Sequence, residues 1–169
     1  MKTLRTICQS VLGLCALATL DASPVHAQTA VRIEAGELIL PTAVRFEAGT
    51  DVLAEGSDSG LAQVMTFLAE KEYITLLRVE TNAAVLPDRD ANLALGTARA
   101  KRLAAWFKDR GLSCARLIYV TFGQDKPMVA GQDEQNERVE FRPATLRGRA
   151  IGGMPVDGGG LLVQPPCPQ

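Results

Sequence analysis

Beyond the N-terminal segment, the longest helical repeat of hydrophobic positions runs from Ala91 to Leu112. At about 100° per residue, its apolar and small side chains fall on one stripe, and its charged side chains fall elsewhere. The stripe consists of Leu93, Gly96, Ala100, Leu103, Ala104 and Phe107. This pattern predicts an amphipathic helix on a sheet, with Asp88 or Asp90 capping its start and Gly111 forming a left-handed C-cap.

A second helix and several strands are predicted from the remaining pattern. The helix has an apolar stripe at Leu61, Val64, Met65 and Leu68, with Ser57 or Ser59 as its cap, and it ends by about Lys71. Short or alternating apolar runs predict short strands within 31–40 and 42–46, broken at Gly36 and Pro41, and further strands at 74–80, 116–122 and 138–142. The order β-β-α-β-α-β-β predicts an α/β (α+β) two-layer sandwich, with two main helices on one face of a mixed sheet.

Residues 1–27 have the pattern of a cleaved secretory signal peptide. A basic start at Lys2 and Arg5 precedes an apolar run of about 14 residues and a small-residue ending at Ala27. That run is shorter than the roughly 20 apolar residues of a membrane span. We then expect a spacer at 28–37, the folded domain at 38–142, and a Gly/Pro-rich irregular tail at 143–169.

Charge and residue content exclude several functions for the exported chain. Without residues 1–27, 16 basic and 18 acidic residues remain, so no basic field for nucleic-acid binding is expected. No second apolar run is long enough to span a bilayer. His26, the only histidine, leaves with the signal peptide, which removes the imidazole of a catalytic triad or a zinc site. We therefore expect neither an enzyme nor a cofactor or metal.

Two cysteines, Cys114 and Cys167, remain in the exported chain. An oxidising compartment permits them to form a disulfide that ties the tail to the turn after the long helix. Two free thiols are the alternative, and the sequence leaves it open.

A series of short motifs occurs in order along residues 38–142. They are Val44-Arg45-Phe46 with Gly49-Thr50 and Leu53, Thr81-Asn82, Asn92 with Leu95 and Arg99-Ala100, Gly111-Leu112, Gly123 with Pro127, and Asn136-Glu137-Arg138-Val139-Glu140. Taken together, this ordered set resembles the OmpA-like peptidoglycan-binding domain family.

The resemblance implies a non-catalytic domain that binds the peptide stem of peptidoglycan, usually through diaminopimelate. In such a clamp, a carboxylate accepts the ligand's ammonium, and an arginine fork binds the ligand's carboxylate. By resemblance, Arg99, at the edge of the helical stripe, is the fork, and Asn82 takes the position of the acid. Asn92, Leu95 and Arg138 are then expected to line the pocket.

Several positions depart from the family pattern, among them Val79-Glu80, where the family commonly has Gly-His. Asn82 replaces an aspartate, which removes the formal anion and weakens binding by on the order of 1–2 kcal/mol. Glu137 replaces the first arginine of the family's Asn-Arg-Arg-Val-Glu, and Gly96 replaces a serine. Glu80 cannot supply the missing acid because strand alternation sends it to the face opposite Thr81; Asp88 and Asp90 remain candidates.

Each site residue also has a structural interpretation. Arg99 is also compatible with a solvated or salt-bridged helix arginine, and Asn82 with a turn residue. Arg138 is more in keeping with a member of a cross-strand ion pair than with a ligand residue.

The expected function is a peptidoglycan-binding module of the Gram-negative cell envelope. We expect it in the periplasm, with weakened affinity, and leave an association with the outer membrane open. The alternative is a degenerate OmpA-like domain that acts as a scaffold for other envelope proteins.

Overall fold

The computed structural model describes residues 30–131, 133–151 and 159–163. The predicted signal peptide and Cys167 lie outside these ranges, so neither prediction can be compared with the structure.

From α1 onward, the elements follow the predicted order, and two short strands are added after it. The hairpin β1 (Arg32–Glu34) and β2 (Glu37–Ile39) precedes helix α1 (Ser57–Glu70). Strand β3 (Ile74–Asn82), helix α2 (Arg89–Asp109), strand β4 (Leu117–Gly123) and strand β5 (Arg138–Leu146) follow. The last described strands are β6 (Arg149–Ala150) and β7 (Leu161–Val163). Short 3-10 turns at Cys114–Arg116 and Glu134–Asn136 precede β4 and β5.

The main sheet is mixed, and β3 lies at its centre. Its strand order is β6-β5-β3-β4-β7, with β3 parallel to β4 and antiparallel to β5. Parallel neighbours need a crossover connection, and α2 provides it between β3 and β4. The predicted two-layer sandwich of a mixed sheet and two helices is therefore confirmed.

A single apolar core joins both helices to the sheet. The members with no more than 2% exposure include Leu61, Val64 and Leu68 from α1, Leu103 and Phe107 from α2, and Val79, Tyr119 and Phe141 from the sheet. Phe107 packs edge-on against Phe141, with 6.5 Å between ring centroids. The predicted stripe of α2 is confirmed, since its members are buried except for the half-buried Leu93.

The predicted caps at both ends of the long helix are confirmed. The Asp88 side chain caps α2 by accepting a 2.7 Å hydrogen bond from the Ala91 N–H. Gly111 has a φ of 82°, and its N–H donates to the Lys108 carbonyl at 2.9 Å. These bonds satisfy polar groups that the helix ends leave unpaired.

The predicted strand at 42–46 and the predicted serine cap of α1 are both wrong, for a common reason. Outside an isolated bridge between Phe46 and Leu53, this segment forms no regular strand. Instead, the Ser57 hydroxyl donates to the Arg45 carbonyl at 2.8 Å and accepts from the Arg45 N–H at 3.0 Å. The N-cap residue of α1 is Gly56, without a side-chain cap bond.

The predicted irregular tail is also corrected by the structure. Strand β5 continues beyond Arg142 to Leu146, and β6 and β7 lie within 143–169. Val163 of β7 is paired with Tyr119 at the outer side of β4 and is 4% exposed. Because β7 is three residues long and follows a Gly-rich segment, it shows no periodic pattern of its own.

Candidate functional site

The predicted clamp residues Asn82 and Arg99 meet where β3 ends. Asn82 is the last residue of β3, and Arg99 lies within α2. The Asn82 backbone carbonyl accepts a long 3.5 Å hydrogen bond from Arg99 Nη1. The two predicted arms of the clamp are therefore adjacent, although the contact involves the backbone of Asn82.

Arg99 is buried, with a relative exposure of 2%. Its Nε donates to the Thr50 carbonyl at 2.8 Å, and its Nη2 donates to the Glu47 carbonyl at 3.5 Å. Its guanidinium carbon lies 5.1 Å from the centroid of the Phe46 ring, which is a cation–π distance. The expected emergence of this group at the edge of the helix is therefore not observed, because the segment before α1 covers it.

The carboxylate that Arg99 binds belongs to Glu137. Glu137 Oε2 lies 2.5 Å from Arg99 Nη1, and Glu137 Oε1 accepts from the Ala84 N–H at 2.5 Å. The Glu137 side chain is 13% exposed, against 2% for Arg99. A buried pair of this kind requires well-placed hydrogen bonds to offset desolvation. Here Oε1 has the Ala84 N–H as its donor, whereas Oε2 is held by the charge of Arg99 without a hydrogen bond among the described residues.

The turn before β5 positions Glu137. Buried Asn136 accepts from the N–H groups of Met128 and Val129 at 2.7 and 3.2 Å. Its Nδ2 donates to the carbonyls of Val129 and Gly131 at 2.9 Å each. This side chain fixes the 128–131 loop against the turn, so that Glu137, just before β5, lies close to Arg99.

Asn82 is buried but its side-chain amide is unpaired. It is 1% exposed, and neither Oδ1 nor Nδ2 has a hydrogen-bond partner among the residues that the structure describes. Leaving a buried polar group unsatisfied costs about 1–3 kcal/mol. Its backbone pairs with Arg138 of β5 and does not have a positive φ, which removes the turn-residue interpretation.

Asn92 braces loops around the start of α2. Its Oδ1 accepts from the Leu86 N–H at 3.0 Å, and its Nδ2 donates to the Leu86 carbonyl and to Gln124 Oε1 at 2.7 Å each. Both amide hydrogens are used in these bonds. Leu95, predicted to line the same pocket, is half-buried on α2.

Arg138 is paired along its own strand, not across strands. Its Nε lies 2.6 Å from Glu140 Oε1, and its Nη2 donates to the Lys126 carbonyl at 3.1 Å. Its Nη1 is buried without a hydrogen-bond partner in the described part of the chain. The ion-pair role is therefore observed, with a partner two residues along β5.

Arg138 belongs to a buried charge cluster that extends over β3 and β5. In the β3–β5 register, Glu80 lies directly opposite Glu140, and such like-charged pairs are destabilising on their own. Basic side chains surround the two carboxylates: Arg78, Lys126, Arg138 and Arg142. As predicted, Glu80 points away from the α2 side, where Thr81 donates to the Gly96 carbonyl at 2.8 Å.

The charge cluster shifts two carboxyl groups in opposite directions. Burial acts to raise the pKa of Glu140, but the hydrogen bond from Arg142 and the charges of Lys126 and Arg138 outweigh it, and the pKa lies below 4.5. Burial and the nearby Glu140 charge raise the pKa of Glu37 above 4.5.

Neither loop aspartate supplies the missing acid of the clamp. Asp88 caps α2, whereas the Asp90 side chain is 88% exposed and lies 3.7 Å from Arg89. Sequence reasoning noted Glu137 only as a departure from the family pattern. The signal that could have identified it was the charge reversal itself, since an acid replaces an arginine in a site that keeps Arg99.

A cavity of about 370 Å³ gives access to this region. It is lined by β2, by residues 43–45 and by the start of β5, including Glu137 and Arg138. Asn82 and Arg99 are not among its lining residues. Glu137 is therefore the member of the Arg99–Glu137 pair that faces this cavity.

Other predicted features are either untested or limited to the described residues. Cys114 is half-buried, but its predicted partner is outside the described ranges, so the disulfide stays a prediction. Within residues 30–131, 133–151 and 159–163, no group of acidic, histidine or cysteine residues is arranged to hold a metal. In the same ranges, no helix combines the length and apolar character needed to cross a membrane.

Comparison with curated proteins gives two lipoprotein relatives. A peptidoglycan-associated lipoprotein of Pseudomonas putida is 38% identical over 68 residues, which are 38% of this chain and 41% of the lipoprotein. One from Pseudomonas aeruginosa is 40% identical over 58 residues, covering 32% of this chain and 34% of the lipoprotein. The matches thus span less than half of these relatives. No family model matches the chain.

Solved structures show the same fold at low identity. The OmpA-like domain of FopA1 from Francisella tularensis has a TM-score of 0.54 and 22% identity, covering 66% of this chain and 75% of that one. The peptidoglycan-associated lipoprotein of Burkholderia pseudomallei has a TM-score of 0.53 and 24% identity, covering 60% and 88%. The periplasmic domain of Helicobacter pylori MotB has a TM-score of 0.53 and 16% identity, covering 67% and 86%.

Proposed function

We propose that this chain is an OmpA-like domain and acts as a non-catalytic, peptidoglycan-binding module of the cell envelope. The names of its lipoprotein relatives support this proposal. The ligand is the peptide stem, through a residue such as diaminopimelate that carries both an ammonium and a carboxylate. The corresponding location is the periplasm.

The observation that carries the proposal is the carboxylate-binding geometry around Arg99. Two groups converge on the Glu137 carboxylate: Arg99 forms an ion pair with Oε2 at 2.5 Å, and the Ala84 N–H donates a hydrogen bond to Oε1 at 2.5 Å. Charge-assisted bonds of this type are the strong ones in proteins, and the planar guanidinium fits a carboxylate well. A donor set that binds a side-chain carboxylate is chemically suited to the carboxylate of a peptide stem.

The second arm of the clamp is weaker than the family pattern. The Asn82 backbone carbonyl contacts Arg99, and its side-chain amide is unpaired; this amide can accept from an ammonium but carries no charge. We therefore propose binding of reduced affinity, by about tenfold or more relative to an aspartate at this position.

Co-sedimentation with purified sacculi tests the proposal. Arg99→Lys keeps the positive charge but loses the planar fork, so we expect at least about tenfold weaker binding. Arg102→Lys is the matched control, because Arg102 lies on the same helix and is exposed. Equal binding by both variants, or no binding by the wild type, would contradict a peptidoglycan-binding role for this site.

A second candidate is a scaffold for other envelope proteins. It is favoured by one observation, namely that Glu137 already pairs with the carboxylate-binding arginine. A wild-type domain that does not sediment with sacculi under any condition would favour this alternative.

A further inference from the structure

We propose that Glu137 is a specificity-determining residue whose carboxylate takes the place of the ligand's carboxylate in the Arg99 fork. This inference rests on the proposed function for the identity of the ligand. In its present arrangement, the fork disfavours ligands that present a free carboxylate, and such a ligand must first displace Glu137.

The first support is the way in which the Glu137 carboxylate is held. One oxygen contacts the guanidinium of Arg99, and the other accepts from a backbone N–H that follows β3. A ligand carboxylate would use the same two kinds of donor, since an arginine fork and nearby backbone N–H groups are the usual partners of a bound carboxylate. Glu137 therefore uses the donors that a ligand would need.

The second support is that the rest of the Arg99 guanidinium is covered by its own chain. Its other hydrogen bonds go to backbone carbonyls of Thr50, Glu47 and Asn82, and the Phe46 ring lies against it. Among the described residues that contact the guanidinium, Glu137 is the one that lines the 370 Å³ cavity. An incoming carboxylate reaches Arg99 from the cavity only where Glu137 now lies.

The third support is electrostatic. A carboxylate that approaches Arg99 from the cavity also approaches the negative charge of Glu137. Like charges close to each other repel strongly in a partly buried site. Removing one partner of a buried pair also leaves the other charge uncompensated. If Glu137 is neutralised, Arg99 therefore becomes an unpaired buried cation, and a ligand carboxylate restores its partner.

Glu137→Gln is the main test, with binding of free meso-diaminopimelate measured by calorimetry. Its amide oxygen can still accept from the Ala84 N–H, but its negative charge is gone. We expect affinity to rise by about tenfold or more over the wild type. Glu134→Gln is the matched control, because Glu134 is an exposed acid in the preceding turn, and its affinity should equal that of the wild type.

Glu137→Asp covers the case in which the glutamine variant does not fold. It keeps the charge while withdrawing the carboxylate by about 1.5 Å, one carbon–carbon bond. We expect a smaller gain in affinity than for Glu137→Gln. Circular dichroism would verify the fold of each variant.

The double variant Glu137→Gln with Arg99→Lys assigns any gain to the fork, and it should return affinity to the wild-type level. A gain that persists in the double variant, or Glu137→Gln and Glu137→Asp affinities no higher than the wild type, would overturn the inference.

Co-sedimentation with purified sacculi, measured beside diaminopimelate binding, distinguishes this inference from the proposed function. If Glu137→Gln gains Arg99-dependent affinity for diaminopimelate while no protein sediments with sacculi, the inference holds and the proposed function fails. If the wild type sediments in an Arg99-dependent way and Glu137→Gln binds diaminopimelate no better, the proposed function holds and the inference fails.

Discussion

Asn82 shows how one buried side chain can separate a binding role from a structural one. Its amide is almost fully buried, yet neither of its polar side-chain atoms has a partner in the described chain. For stability alone, such a residue is unfavourable, because its amide loses water without gaining a hydrogen bond. For binding, an unpaired amide on a residue whose backbone contacts Arg99 is a candidate acceptor.

These two roles give opposite expectations for Asn82→Leu, a substitution of similar size. Removing an unsatisfied buried amide should leave the free energy of unfolding unchanged or raise it by up to about 1–3 kcal/mol, as measured by urea denaturation. The same variant should bind sacculi more weakly than the wild type. A clear loss of stability would show that Asn82 makes a structural hydrogen bond, and unchanged binding would remove it from the site.

The pairing of Arg99 with Glu137 was not predictable at the residue scale. Periodicity identified Arg99 as a helix residue near the apolar stripe, because the helical repeat is a local property. Its partner lies beyond β4 and a long loop, and only the tertiary fold brings the two together. A family pattern also could not reveal the pair, since Glu137 itself is a departure from that pattern.

At the scale of elements, the close contact of α2 with the sheet depends on Gly96. A Cβ at this position would lie 2.0 Å from Thr121 Oγ1, and the Gly96 carbonyl accepts from Thr81 at 2.8 Å. The helix therefore lies directly over the ends of β3 and β4. This spacing sets the height of Arg99 above the strands, three residues further along the same helix.

Gly96→Ala should destabilise the domain by about 1–3 kcal/mol through overpacking, despite the higher helix propensity of alanine. Thr121→Ala removes the hydroxyl that the new methyl group would meet. The double variant should therefore be more stable than the sum of the two single effects predicts, as judged by a double-mutant cycle in urea. Additive effects would contradict a direct clash between these positions.

The sequence pattern predicted the elements correctly where hydrophobic positions are periodic. It failed where the backbone hydrogen-bonds to a distant side chain and not to a neighbouring strand. The stripe of α2 and the alternation that separates Glu80 from Thr81 depend only on neighbouring residues, and both were confirmed. By contrast, the backbone of Arg45 is bound by a serine hydroxyl where a neighbouring strand was expected. Alternation of Val44 and Phe46 could not distinguish an extended loop from a strand.

At the scale of the whole molecule, the charge cluster makes stability depend on pH. The folded state holds the pKa of Glu140 below 4.5. For a carboxyl group with a lowered folded pKa, the stabilisation is present above the unfolded value and is lost as pH falls through the folded value. The raised pKa of Glu37 acts in the opposite sense, because the folded state then favours the protonated acid.

We therefore expect the free energy of unfolding to fall as pH decreases below about 4.5, and Glu140→Gln should reduce this fall. Denaturation at about pH 7 and about pH 3 would measure the difference for each protein. Glu134→Gln, which changes an exposed acid, should behave like the wild type. If Glu140→Gln and the wild type lose equal stability on acidification, the lowered pKa of Glu140 does not contribute.

The two short strands from the tail give the sheet its boundaries. Strand β6 lies outside β5, and β7 lies outside β4, so both outer positions of the sheet come from 143–169. Without β7, Tyr119 to Thr121 of β4 would present unpaired N–H and C=O groups, which act as templates for pairing with other chains; β6 covers such groups only at Thr145 and Leu146, at the end of β5. The part of the sequence with the least regular pattern thus protects this domain against self-association, and proteolytic loss of the tail would favour aggregation before it affected the Arg99 site.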